Sequence, residues 1–386
     1  MICLIHIIYN MGGHALKKVE ASRIDLNTYS NVKLDLKEKF GNTLCMEFLI
    51  EVPNKTDFGD IDVLYLANSQ INICQLVKQI FNPVEIVENG GVCSFSYQII
   101  LNDETKYFQV DLIACVNLEM SRFYFSYGDL GGILGRIAQH IGLKFGSIGL
   151  WICPKSETIG RFLNLEQNLD FKKDLLNKLV SNNFEMSSIT NAQYTDIMLT
   201  TKPKVICEYL DLDWTVWTNG FSSKDKIFEW ICRSKYFNIH IFRAMSYEHR
   251  QRANKRQMYQ EFIQYISKNE SINKIEEFTI EKGDSVNCIN INLQLEALCD
   301  FNKFELLKNS INTMYDVFIR KKKLNGKKFL NLGIVDKEIN ICIKEFKKKI
   351  ELQNGLEFIN WIDNNDFETI DLAICDFVSK YKKLQL

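Results

Sequence analysis

The sequence predicts an α+β protein: an N-terminal mixed sheet with flanking helices, followed by mainly helical domains. Two changes of pattern carry that prediction. Up to about residue 118 the apolar runs are short and strand-like, and from about residue 130 they recur at helical spacing. The chain has 386 residues, 46% of them hydrophobic and 25% charged, enough to bury cores for two or three domains. We expect these to occupy residues 1–125, 126–270 and 271–386.

The opening MICLIHIIYN reads as a buried strand, since it lacks a basic leader and is far shorter than the ~20 residues of a membrane span. MEFLIEV (46–52), IDVLYLA (61–67), SFSYQIIL (94–101) and YFQVDLIACV (107–116) read as strands of one sheet. INICQLVKQIF (71–81) has helical spacing, and LNDET (101–105) is a polar turn between two strands. Beyond residue 130, LGRIAQHIGLK, FKKDLLNKLVS, SKDKIFEWICRS, RQMYQEFIQYISK, FELLKNSINTMYDVFIRKKK and EINICIKEFKKKIE are all amphipathic helices. EEFTIEKGDSVNCINI (276–291) is left open between a hairpin and an irregular excursion.

Lys plus Arg total 47 and Asp plus Glu 48, a formal net charge of −1, so affinity for nucleic acid can come only from local patches. The 12 Cys are scattered, with no CxxC, beside only 5 His. That pattern argues against a disulfide scaffold and a structural zinc site, and predicts a reduced, cytoplasmic setting with no membrane association. No Gly-x-Ser-x-Gly turn supports serine hydrolase chemistry.

The chemistry concentrates in Lys55-Thr56-Asp57-Phe58-Gly59-Asp60-Ile61-Asp62. There a Gly precedes two Asp at i and i+2 on a strand start, which puts both carboxylates on one face. Paired hard oxygens suit Mg²⁺ or Mn²⁺, and Gly59 allows a tight turn. Asp111, in the apolar run Phe108-Gln109-Val110-Asp111-Leu112-Ile113, is a third acid that burial would make costly without a cation or a donor. If its strand lies beside that of Asp60 and Asp62, the three converge. The blander readings are a solvated strand start for the pair and a cap of backbone amides for Asp111. Asp211-Leu212-Asp213, with no preceding Gly, serves as the decoy.

GDIDV followed by FQVDLI resembles the DNA polymerase beta-like nucleotidyltransferase superfamily, marked by a Gly before Asp-x-Asp on one strand and a third Asp on a later one. The resemblance implies a nucleotidyltransferase palm over residues 1–125. It also implies that Asp60 and Asp62 ligate metals gripping a nucleoside triphosphate, and that Asp111 helps deprotonate the attacking hydroxyl. The Gly-Ser turn usual shortly before the pair is replaced by Val52-Pro53-Asn54-Lys55. GGHALKK, KTDFGDIDVL, FQVDLI and SYGDLGGILGRIAQHIGLKFG together look like a phage-type and giant-virus-type subgroup whose Gly-Gly lies far upstream. On that reading Gly12, Gly13, Lys17 and Lys18 stand near the phosphates, with Lys55 a second candidate; Gly59 and Arg136, which follows the turn at Gly128 to Gly135, are further nucleotide-site candidates, Arg136 equally a surface residue. That glycine-rich turn otherwise serves close packing.

Two basic tracts are candidate contacts for an RNA acceptor: Arg250, Arg252, Lys255 and Arg256, and Lys321, Lys322 and Lys323 within RKKKLNGKK. Their alternative role is a solvated face. The segment LNGKKFLNLGIVDKEINICIKEFKKKIE resembles the C-terminal helical unit of CCA-adding tRNA nucleotidyltransferases. The expected reaction is metal-dependent transfer of a nucleoside monophosphate to an acceptor hydroxyl, first an RNA 3′ end, with release of pyrophosphate. Nucleotidylation of a protein or small molecule, and a catalytically silent binding protein, are the alternatives.

Overall fold

The computed structural model describes residues 15–68, 70–101, 103–243, 251, 254, 256–269 and 286–385. The chain is α+β, with a mixed five-stranded sheet near its N-terminus and mostly helical structure after it. It divides into two compact units, Met1–Cys153 with Asp196–Phe301, and Pro154–Thr195 with Asn302–Leu386. These boundaries do not follow three consecutive segments, because a strand at 197–200 returns to pair in the first unit after the excursion 154–195.

In the first unit, strands β1 (Ile24–Asp25) and β3 (Asp57–Phe58) form a short antiparallel pair. The main sheet contains β2 (Met46–Phe48), β4 (Asp60–Leu66), β5 (Ile86–Asn89), β6 (Val92–Leu101) and β7 (Glu104–Cys115), in the order β2-β4-β7-β6-β5. Only β4 and β7 run parallel within it, with Asp60 opposite Gln109 and Asp62 opposite Asp111. MEFLIEV pairs only over its first three residues. The backbone then leaves to reach Ser126 and Tyr127, with the Ile50 N–H donating to Ser126 Oγ and the Ile50 carbonyl accepting from Tyr127.

Period two gives this sheet two unlike faces. Ile61, Val63, Phe95, Val110 and Leu112 are fully buried on one face, against α1 (Leu26–Phe40) and α2 (Ile73–Phe81). Helix α1 starts where the Asp25 side chain accepts from the Thr28 N–H, and it turns Tyr29, Val32, Leu36 and Phe40 inward at spacings of three and four. On the other face, Leu64, Ile113 and Cys115 lie under α3 (Leu118–Phe125), while the start of β4 carries Asp60 and Asp62 and the facing middle of β7 carries Gln109 and Asp111. The first half of that face is therefore polar and the second half apolar.

Helix α4 (Leu130–His140) begins one glycine turn after α3. A Cβ on Gly131 would lie 2.0 Å from the Tyr124 carbonyl oxygen, so the glycine is there for close packing of the two helices. After α4 comes a three-stranded sheet of β8 (Leu143–Gly146), β9 (Gly149–Ile152) and β10 (Ile197–Thr200), in a region whose sequence reads as helical. The helix at 257–268 and the one at 286–300 follow; the opening MICLIHIIYN and most of the excursion at 276–291 lie outside the described residues. Among the described residues no helix is long and apolar enough to cross a membrane.

In the second unit, the long helix at 304–323 is followed by helices at 326–331, 339–354, 358–364 and 367–385. Phe329, Ile334, Cys342, Phe346, Trp361 and Phe377 form its core, so the stretch like the CCA-adding unit packs its apolar side on neighbouring helices.

Candidate functional site

Each of Asp60, Asp62 and Asp111 offers a carboxylate oxygen, and those oxygens lie within 4.8 Å of one another. The parallel pairing of β4 with β7 makes this cluster, since register places Asp62 directly beside Asp111 and Asp60 one pleat away. Asp62 Oδ1 is buried and has no hydrogen-bond partner among the described residues. A buried anionic oxygen without a donor is costly, so burial, then Asp60, Asp111 and Glu51, push the Asp62 carboxyl well above its ordinary range, with Lys55 opposing them. Burial also pushes Asp111 up to about 6. Hydrogen bonds from Ser94 and Gln109 limit that rise, and Asp60 adds to it. Gln109 Nε2 donates to both oxygens of Asp111, at 3.0 and 2.9 Å.

Glu51 and Tyr29 are part of this surrounding, although sequence reasoning did not single them out. The Tyr29 hydroxyl donates to Glu51 Oε1 at 2.8 Å, and Lys55 Nζ meets Glu51 Oε2 at 2.7 Å while lying 4.8 Å from the Phe58 ring centroid. Burial, then Glu51, Asp62 and Asp60, raise the Tyr29 phenol above its usual range. Lys55 is therefore in electrostatic reach of Asp62 and already paired. Gly59 is buried without a left-handed φ; a Cβ there would stand 2.7 Å from Arg23 Nη1. That atom is the end of a long, exposed side chain, which bonds Asp57 at 2.5 Å and can shift, so the contact does not by itself require a glycine. The left-handed residue of this loop is Asn54, φ +62°.

Lys17 and Lys18 are exposed side chains on a segment whose amides bond Glu85, and Gly12 and Gly13 lie outside the described residues. Glu85 and Gln109 are the functional candidates that sequence reading missed. The one local signal was a Gln two residues before Asp111, on the same strand face; Glu85 carried none.

Arg136 donates through Nε and Nη2 to the Ile241 carbonyl and through Nη1 to Gln139 Oε1, a tie between α4 and the turn at 240–243. Arg256 Nη1 stands 3.5 Å from Asp129 beside the start of α4; Arg250, Arg252 and Lys255 lie outside the described residues. In the second unit Lys323 is buried and donates to the carbonyls of Ile362 and Asn365, at 2.9 and 2.7 Å. Lys322 donates to the Asn182 carbonyl at 2.5 Å. Arg320 grips Asp363 with two hydrogen bonds, and Lys321 is the exposed member of the run. Most of that tract thus braces its own helices. The decoy pair resolves into caps: Asp211 ends one helix in a left-handed conformation, and Asp213 starts the next by accepting from the Thr215 N–H and hydroxyl.

No protein-family model matches this chain, and no curated protein matches it.

Proposed function

We propose that this protein is a metal-dependent nucleotidyltransferase, carrying a nucleoside monophosphate from a triphosphate to an acceptor hydroxyl. The observation that carries the reading is the convergence of Asp60, Asp62 and Asp111 with a buried, donor-less Asp62 oxygen. A hydrogen-bonded structural cluster would supply that oxygen with a donor; a hard cation site leaves it free for the ion. The donor set is all oxygen, which fits Mg²⁺ or Mn²⁺ held by Asp60, Asp62 and Asp111.

Bound there, such ions supply neutralising charge for the polyphosphate and lower the pKa of a nearby hydroxyl. The chain's own residues do the rest. Asp111, oriented by Gln109 and Ser94, takes the acceptor proton as the acceptor oxygen bonds the α-phosphorus and pyrophosphate leaves. Lys55, Lys17 and Lys18 are the cations for the departing phosphates. An RNA 3′ end is the first acceptor in this proposal, in a cytoplasmic setting. A protein side chain or small molecule is the second, favoured by the engagement of Lys322 and Lys323 inside their own unit.

The test is incorporation of labelled nucleotides with Mg²⁺ or Mn²⁺ against pooled RNA, protein extract and small molecules. Wild type should label one acceptor class, and Asp60→Ala and Asp62→Ala should each lower labelling by on the order of 10²-fold or more. Equal labelling by wild type and both variants refutes the assignment.

A further inference from the structure

On the polar face of the main sheet, the segment Ala15–Val19 is held by side chains. The Ala15 N–H donates to Gln109 Oε1 at 3.0 Å. Glu85 receives the next amides: Lys17 donates to both its carboxylate oxygens at 3.0 Å, and Lys18 and Val19 to Oε2 at 2.7 and 3.3 Å. Leu16 is buried between them, while the Lys17 and Lys18 side chains face solvent. Glu85 is itself fixed, its N–H donating to Ser96 Oγ and its carbonyl accepting from the Ser96 N–H.

Gln109 is 2% exposed and works in two directions. Its Oε1 accepts from Ala15, and its Nε2 donates to both oxygens of Asp111. A carboxamide is planar, so its oxygen and nitrogen turn together; following one partner moves it against the other. One rigid group therefore lies between a candidate metal ligand and the N-terminal segment, whereas Glu85 touches only the segment.

We propose that Gln109 is a positioning residue that couples cation occupancy at Asp111 to the hold on the Ala15–Val19 segment, with Glu85 as the segment's fixed anchor. The inference rests on the cation-site reading above, and it deepens it. With Asp111 free it can swing between acceptor geometries, and Gln109 with it. With Asp111 committed to a shared cation, Gln109 is fixed and the Ala15 bond is held, while Glu85 keeps the Lys17 and Lys18 backbone in place in either state.

Residue-resolved amide exchange in protein labelled at Ala and Lys tests this, with Mg²⁺ binding measured in parallel by calorimetry. In wild type, saturating Mg²⁺ should slow exchange at Ala15 by about threefold or more and leave Lys17 and Lys18 little changed. Gln109→Leu removes both bonds; Ala15 should exchange on the order of tenfold faster and no longer respond to Mg²⁺. A wild type that binds Mg²⁺ with no change at Ala15, or a Gln109→Leu protein that still responds, overturns the coupling alone. A wild type that binds no Mg²⁺ removes the cation reading and the coupling with it.

Discussion

Asp111→Asn should stabilise the cation-free protein at neutral pH and destroy its response to Mg²⁺. Burial lifts the Asp111 carboxyl from 3.8 to about 6, so the folded protein binds this proton more tightly than the unfolded chain. The sign follows from that: stability rises as pH falls through 6 and the gain is complete below 3.8. At pH 7 the ionised carboxylate costs about 3 kcal/mol, from roughly two pH units at about 1.4 kcal/mol each. Between pH 7 and 5 wild type recovers about 1 kcal/mol of it. Asn cannot ionise, but it offers one acceptor where Asp111 receives donors from Ser94 and Gln109. A net gain of about 1–2 kcal/mol at pH 7 is therefore expected, a rise in Tm of roughly 3–6 °C for a unit of this size. Thermal unfolding in EDTA at both pH values reads it, and the advantage of the variant should shrink toward pH 5. Adding Mg²⁺ at about 100 times its Kd should stabilise wild type by about 2.7 kcal/mol and the variant much less. A variant that is less stable by the same amount at pH 7 and pH 5 refutes the reasoning, because Asp111 would then be an ordinary hydrogen-bond acceptor.

Other positions give independent readings. Lys323→Met removes a buried donor from the Ile362 and Asn365 carbonyls and should cost about 1–3 kcal/mol by urea unfolding, with no effect on Mg²⁺ binding. Gly131→Ala drives a methyl into the Tyr124 carbonyl and should cost at least about 2–3 kcal/mol. Gly135→Ala, on the same helix but with its nearest neighbour, the Phe145 carbonyl oxygen of β8, 3.7 Å away, should instead be neutral or gain up to about 1 kcal/mol. Asp213→Ala removes a helix cap and should lower the urea midpoint while leaving the calorimetric Mg²⁺ signal unchanged, which separates the second Asp-x-Asp from the first.

What could be read in advance was what local period and spacing encode. The runs 61–67, 94–101 and 107–116 are strands because they are short apolar runs rich in aromatic and β-branched residues, and 71–81 and the long amphipathic stretches are helices because their apolar residues recur at helical spacing. Helix α1 escaped notice because Asn27, Ser30 and Asn31 dilute its apolar stripe, although Asp25 marks its start. β8, β9 and β10 are four residues each, too short for period two to stand out, and β10 pairs with β9 across more than forty intervening residues. The acids of the site were legible as a pair on a strand start and a lone acid inside an apolar strand. Glu85 was not, because a carboxylate holding three amides from a segment 66 to 68 residues away has no local pattern. The basic run 320–323 misleads for the same reason. Its partners, Asn182, Ile362, Asp363 and Asn365, are distant in sequence, so charge density alone looks like a binding face.

The two faces of the main sheet put the functional argument on energetic grounds. The face under α1 and α2 is filled by Ile61, Val63, Val110 and Leu112 with no polar interruption, so the sheet can be held without the other face contributing any charge. On that other face, β4 and β7 in parallel register force Asp62 against Asp111, two carboxylates whose ionised forms oppose each other and are both poorly solvated. Replacing either by Asn would relieve the repulsion at no loss to the apolar core. Gln109 and Ser94, which could have been spent on neutral partners, are instead aimed at keeping Asp111 oriented. The sheet is thus stabilised on one side and carries mutually opposed acids on the other, and the cation proposed for Asp60, Asp62 and Asp111 would offset that repulsion from outside the chain.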